Sequence, residues 1–74
     1  MRHEVNYNGS KIIISFRCRG YSIHCYDAEL LEGDWPKDSD LIALCDNTDP
    51  AHPCNFGGHV SKFSNKASIE VYVD

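Results

Sequence analysis

Cysteine and histidine side chains cluster in the second half of the chain, where they could bind a metal ion. Cys45, His52, Cys54 and His59 follow the pattern Cys-x6-His-x-Cys-x4-His. Thiolate sulfur and imidazole nitrogen are ligands that zinc prefers in structural sites. The spacing differs from the recurrent zinc motifs, and His52 lies close to Cys54 for two ligands of one ion. The alternatives are that Cys45 is a buried apolar thiol or that an oxidised cysteine pair forms.

A second candidate site follows directly, in the segment Asn55-Phe56-Gly57-Gly58. Successive backbone N–H groups at glycines can hold an anion, and the Phe56 ring could stack on a base. This pattern predicts a small-molecule site, for example for a signalling nucleotide, with Arg17, Arg19 and Lys62 as the source of positive charge. The alternative is that Gly57 and Gly58 form a hinge into the last strand.

The middle of the chain is strongly acidic. Residues 27–49 carry eight carboxylates and a single positive residue, Lys37, which gives this stretch a net charge of −7 against −4 for the whole chain. Such a surface favours a basic protein partner and argues against direct nucleic-acid binding. Trp35 lies within it, and tryptophan is enriched at interface hot spots. The predicted partner-binding residues are Glu32, Asp34, Trp35, Asp38 and Asp40. The alternative is that the charges are solvated and Trp35 caps the core.

The remaining cysteines do not form a nucleophilic site. His24 and Cys25 are adjacent in a predicted strand, so their side chains point to opposite faces of a sheet. Cys18 and Cys25 are predicted to be neighbours on adjacent strands and to act as core thiols. The sequence contains no phosphate-binding loop, dinucleotide fingerprint or metalloprotease motif,. We therefore expect the protein not to be an enzyme.

The elements that position these residues are short. His3–Tyr7 and Lys11–Cys18 are predicted strands, joined by Asn8-Gly9, a dipeptide typical of type I′ hairpin turns,. Period-2 alternation places Ile12, Ile14, Phe16 and Cys18 on one face of the second strand. A turn at Gly20 and a third strand over Tyr21–Tyr26 complete a predicted three-strand meander.

The second half is less regular. The segment 27–33 predicts one or two helical turns, with Asp27 as N-cap and Gly33 as C-terminal stop,. Leu41–Cys45 fits a strand slightly better than a helix. Two prolines and two glycines predict a long loop over 46–58,. The segments 59–64 and 68–73 predict a final hairpin.

These elements predict a mainly β fold, with α+β as the alternative. We expect a single domain over 1–74, built as a small antiparallel sheet or partly open barrel of about five strands with one short helix,. A 74-residue chain is near the lower limit of what folds alone,. A metal, a disulfide or a homodimer formed through exposed strand edges would add stability.

The chain starts at Met1 without a charged and apolar leader, and its longest apolar runs are too short to cross a membrane,. The sequence therefore predicts a cytoplasmic protein with no membrane partner. If the gene is phage-borne, the compartment is that of the host cell.

In size, charge and absence of motifs, the chain resembles small counter-defence proteins of phages and mobile elements, such as anti-CRISPR inhibitors. The resemblance rests on general character alone and assigns no residues. It implies a non-enzymatic inhibitor that occupies a surface of a host protein, here through the acidic stretch. The alternatives are a small-molecule sequestering protein that uses residues 46–59 and a zinc-stabilised accessory module.

Overall fold

The computed structural model describes residues 2–48 and 55–73. Within these residues the chain forms five strands and one helix. Their bounds are β1 Arg2–Tyr7, β2 Ser10–Gly20, β3 Ile23–Glu32, α1 Asp38–Asn47, β4 Asn55–Phe63 and β5 Lys66–Val73. The strands make one antiparallel sheet in the order β1-β2-β3-β5-β4. The predicted mainly β class, with about five strands and one short helix, is confirmed.

The first hairpin forms where the sequence predicted it. Asn8 and Gly9 both have positive φ, at 47° and 84°, as a type I′ turn requires,. Val5 pairs with Ile12 and His3 with Ile14 across the two strands. The next turn lies at residues 21–22, one residue beyond the predicted Gly20.

The prediction of helical turns over 27–33 is wrong, because β3 continues through Glu32. This stretch also alternates with a period of two, which places Ala28 in the core and Asp27 on the opposite face. Both neighbouring strands pair with it, so the chain gains two hydrogen-bonded ladders instead of one turn of helix,. Gly33, at φ 81°, ends the strand and not a helix.

The preference for a strand over Leu41–Cys45 is also wrong, since the segment lies within α1. Leu41, Ile42 and Cys45 are spaced as one helical stripe, and all three are buried against the sheet,. The predicted 46–58 loop is therefore too long at both ends, because α1 extends to Asn47 and β4 begins at Asn55. Residues 49–54 lie outside the described residues.

The final hairpin is confirmed, with β4 and β5 joined at residues 64–65. In β5, Ile69, Val71 and Val73 are buried, whereas Glu70 and Tyr72 between them are more exposed, as the alternation predicted. β5 inserts between β3 and β4, so both of its edges are paired. The edges of the sheet are β1 and β4.

The two faces of the sheet differ. We call the side that packs against α1 the covered face and the other side the open face. The buried core lies between the covered face and the helix and consists of Ile12, Ile14, Tyr26, Ala28, Leu41, Ile42, Cys45, Ala67, Ile69, Val71 and Val73. The open face has no second layer among the described residues.

In the described part of the chain, no helix has the length and apolar character that a membrane span needs.

Candidate functional site

The acidic connection between β3 and α1 crosses one end of the sheet. β3 ends at Glu32 beside the start of β2, and the β4–β5 turn lies at the same end. The Ser10 hydroxyl donates a hydrogen bond to the carbonyl oxygen of Asp34. Farther along, the ammonium group of Lys62 donates to the carbonyl oxygen of Pro36 at 3.1 Å. Side chains from two strands thus fix the backbone of this connection.

Trp35 contributes a third tether. Its indole Nε1 donates to the carbonyl oxygen of Ser64 at 2.7 Å, and its partly buried ring packs against the hydrophobic core. The indole therefore has a structural role at this end of the molecule. That placement agrees with the alternative in which Trp35 caps the core.

The carboxylates of the connection remain close to solvent. Glu32 forms an ion pair with Lys11 at 3.4 Å, and Asp38 forms one with Lys62 at 2.8 Å. The side chains of Glu32 and Asp38 are 67% and 61% exposed, so solvent screens both ion pairs,. Asp34 is exposed, and no side chain of residues 2–48 or 55–73 pairs with its carboxylate.

Asp40 faces Tyr7 of the edge strand β1. A hydrogen bond from the Tyr7 hydroxyl to the Asp40 carboxylate raises the pKa of Tyr7 above its usual value of 10.0, and desolvation and the negative charge of Asp40 add to the effect. We call Glu32, Asp34, Asp38 and Asp40 the acidic end. Four of the five predicted partner-binding residues therefore carry carboxylates between the end of β3 and the first turn of α1, and Trp35 holds this stretch to the core.

The open face contains a shallow groove that sequence analysis did not identify. Its volume is about 540 Å³, and residues of all five strands line it. Ser15, Asp27 and Ser68 lie opposite one another across three strands at its floor. Phe63, which is 65% exposed, stands at its rim. Alternation indicated which side chains share a face, but only the strand order brings these strands together.

Two ion pairs lie in or beside the groove. The Arg17 guanidinium lies 3.5 Å from the Asp27 carboxylate and donates to the Ser68 hydroxyl at 3.2 Å. Lys66 pairs with Glu29 at 3.6 Å. The cationic side chain of Arg2 also lines the groove.

Cys18 and Cys25 are directly opposite each other on β2 and β3, as the sequence predicted. The predicted face of Cys18 is wrong, however. A register shift between Phe16 and Cys18 inserts an extra residue, which moves Cys18 from the side of Ile14 to the open face,. Cys18 is exposed and not a core thiol, whereas Cys25 is buried.

The structure does not bring Cys45 and His59, the two predicted zinc ligands that it describes, together. Cys45 lies in α1 and is fully buried against the covered face. Burial raises the pKa of its thiol to about 12, and the charge of Asp46 adds a smaller contribution. His59 is exposed on the open face, where it pairs across the ladder with Glu70. The sheet therefore separates Cys45 from His59. His52 and Cys54 lie outside the described residues.

The glycines of the predicted small-molecule site have a structural role. A Cβ on Gly58 would lie 2.1 Å from the Glu70 carbonyl oxygen, so only glycine fits there. Gly57, at φ 99°, lies in a register shift between β4 and β5 that spans Asn55 to Gly58. These residues form a β-bulge and not a hinge. The side chain of Phe56 lies outside the described part of the structure.

The three basic residues proposed for that site do not converge. Arg17 lies on the open face with Asp27, while Arg19 stacks on Phe16 with 5.7 Å between the guanidinium carbon and the ring centre. Lys62 lies at the acidic end, bound to Asp38.

Comparisons with protein-family models, with curated proteins and with solved structures find no match to this chain.

Proposed function

We propose that this protein is a small, non-enzymatic inhibitor that binds a basic surface of a partner protein through its acidic end. The observation that carries the proposal is the tethering of the connection between β3 and α1. The side chains of Ser10 and Lys62 donate to its backbone carbonyl groups, and its Trp35 indole donates to the carbonyl oxygen of Ser64 in the β4–β5 turn. The carboxylates of Glu32, Asp34 and Asp38 stay exposed.

Tethering supports a binding role because it lowers the entropy cost of association. A flexible acidic loop would lose conformational freedom when a partner orders it. Here the connection is already ordered by Ser10, Trp35 and Lys62. The carboxylates are therefore displayed at fixed positions, which favours a complementary arrangement of Lys or Arg side chains on the partner.

The charge of the acidic end supports a basic protein as the partner. Its four carboxylates are met by Lys11 and Lys62 alone in ion pairs of the described residues, so a net negative charge remains. An inhibitor of this kind blocks a surface on which the partner binds an anionic molecule such as a nucleic acid. We propose that it acts in the cytoplasm, in the manner of the counter-defence inhibitors of phages.

The test compares two triple variants of equal net charge. Glu32→Gln, Asp34→Asn and Asp40→Asn together neutralise the acidic end. Asp27→Asn, Glu29→Gln and Glu70→Gln remove the same charge from strand residues that face the open side. Each protein is immobilised, proteins are captured from a lysate of the cell in which the gene is expressed, and the captured partner is purified for affinity measurements at two salt concentrations.

We expect the acidic-end variant to bind the partner about tenfold or more weakly and with a shallower salt dependence, while the open-face variant retains wild-type affinity. Circular dichroism melting curves establish that both variants are folded. Equal weakening by both variants would mean that only net charge matters. Wild-type affinity of the acidic-end variant would contradict the proposal.

A further inference from the structure

Two thiols meet on the open face because of an irregularity in β2. Without the register shift after Phe16, Arg17 would lie opposite Cys25 and Cys18 would lie opposite His24. The shift moves the pairing by one residue, so that Cys18 lies opposite Cys25 and Arg19 opposite His24. Side chains of directly opposed residues in an antiparallel ladder point to the same side of the sheet.

The geometry of such a pair suits a covalent bond between the sulfur atoms. Directly opposed Cα atoms in antiparallel strands are about 4.5–5.5 Å apart. The Cα separation in protein disulfides is usually about 4.4–6.8 Å, so directly opposed cysteines fall within the range that a disulfide spans. The Cys18 thiol lies close enough to Cys25 to raise the pKa of the Cys25 thiol.

The two cysteines differ in access, which sets the order of reaction. Cys18 is exposed, and Cys25 is only 8% exposed. A reagent in solution therefore reaches Cys18 first, and Cys25 is held where it can attack the modified Cys18 sulfur. Burial raises the pKa of the Cys25 thiol, and the neighbouring Cys18 raises it further, while the charge of Arg17 opposes this effect.

We propose that Cys18 and Cys25 form a dithiol site that a low-molecular-weight disulfide of the glutathione type oxidises to a cross-strand disulfide. The Cys18 thiolate attacks one sulfur of the small disulfide, which forms a mixed disulfide and releases one small thiol. The Cys25 thiolate then attacks the Cys18 sulfur, which forms the Cys18–Cys25 bond and releases the second small thiol. The protein loses two electrons and two protons, and the small disulfide gains both.

The site does not depend on the proposed binding function, because it lies on the open face and away from the acidic end. Its effect is to lock β2 to β3 next to the bulge, where the ladder is irregular. A bond at this point links the two strands across the turn at residues 21–22. A chain of 74 residues has a small core, so a reversible link of this kind adds to its stability when oxidised and removes that contribution when reduced,.

The experiment uses the full chain with Cys54→Ser, which leaves Cys18, Cys25 and the buried Cys45 as the only thiols. The reduced protein is equilibrated with mixtures of glutathione and its disulfide, quenched with an alkylating reagent and digested with trypsin. Cleavage after Arg17, Arg19 and Lys37 releases the dipeptide 18–19 and the peptide 20–37. Mass spectrometry finds these two peptides joined only if the predicted bond has formed.

We expect the joined peptides as the main oxidised product. We also expect the folded protein to form the bond at about tenfold or more lower glutathione disulfide than the same chain in urea, since the fold holds the thiols together. Cys25→Ser should stop at a mixed disulfide on Cys18, and Cys18→Ser should remain largely unmodified.

Two results would overturn the proposal. One is a stable mixed disulfide on Cys18 in the chain that retains Cys25. The other is equal oxidation of the folded and unfolded chains, because two cysteines seven positions apart can also meet in an unfolded chain. Wild-type circular dichroism of both single variants shows that neither result comes from misfolding.

Discussion

The two faces of the sheet are built from the same strands but differ in burial and in side-chain chemistry. On the covered face, the side chains of β2, β3 and β5 pack against α1 and are almost completely buried. On the open face, the alternate side chains of the same strands include charged and hydroxylic groups and the exposed thiol of Cys18, beside the half-buried Ile13 and the buried Cys25. Burial of apolar side chains on the covered face therefore supplies the hydrophobic stabilisation of the fold. The open face leaves polar groups and the Cys18 thiol accessible to reagents in solution.

The comparison also shows how the acidic end relates to the core. Trp35 packs against the core on the covered side, and Lys62 extends from that side to Asp38. The surface proposed to bind a partner therefore depends on the same packing that stabilises the fold. The dithiol pair depends only on the local register of β2 and β3. The two proposed functions should therefore respond differently to mutations in the core.

The largest expected effect comes from adjacent isoleucines of β2. Ile14 is fully buried on the covered face, whereas Ile13 next to it lies on the open face and is half-buried. We expect Ile14→Ala to lower the free energy of unfolding by about 2–5 kcal/mol through lost burial and a residual cavity. Ile13→Ala should cost less than about 1.5 kcal/mol. Urea denaturation measures both, and equal costs would mean that the open face is covered in solution, for instance by a second copy.

A smaller effect is expected from two aromatic residues, Trp35 at the acidic end and Phe63 at the rim of the open-face groove. Trp35→Phe keeps most of the packing but removes the hydrogen bond to Ser64, so it should cost about 1–2 kcal/mol,. Phe63→Leu alters a ring that is 65% exposed and should cost less than about 0.5 kcal/mol,. Thermal and urea unfolding measure these values. Unchanged stability of Trp35→Phe together with lost partner binding would make Trp35 an interface anchor and not a tether.

The smallest effect is a pH dependence at the edge of the covered face. The pKa of Tyr7 is raised in the folded protein, so the fold favours the neutral hydroxyl that donates to Asp40. This contribution is complete below the ordinary pKa of 10.0 and is lost as pH rises through the higher folded value,. We expect wild type to be more stable than Tyr7→Phe at neutral pH and the difference to shrink above pH 10.

Urea unfolding of both proteins between pH 7 and 11 measures that difference. Tyr21→Phe, at a tyrosine that is 97% exposed, serves as the control for tyrosine substitution. A difference between wild type and Tyr7→Phe that stays constant with pH would mean that the hydroxyl does not bind Asp40 in solution.

The sequence predicted some elements better than others for physical reasons. Asn8-Gly9 determines its own turn, because both residues accept positive φ,. The strict alternation in β5 predicted its buried face correctly. The segment 27–33, in contrast, fits both a helical and an alternating pattern. The choice depends on β2 and β5, which pair with it on both sides and supply Arg17 and Lys66 to its carboxylates.

The candidate sites were also predicted with different success, for similar physical reasons. The acidic stretch was visible from composition, and most of its predicted binding residues form one surface. Of the predicted zinc ligands, Cys45 and His59 lie apart, because Cys45 belongs to the buried helical stripe while His59 follows the strand alternation of β4 to the other face. Spacing along the chain could not reveal this separation, since it depends on the type of each element.

By itself the sequence determined the mainly β class, the first hairpin, the buried alternation of β5 and the concentration of negative charge, because each depends on residues near one another in the chain. The tertiary structure decided where the single helix lies, that β5 inserts between β3 and β4, and that a bulge brings Cys18 opposite Cys25. These outcomes depend on contacts between distant segments, whose burial and pairing outweigh the weak local preferences of residues 27–33 and 41–45.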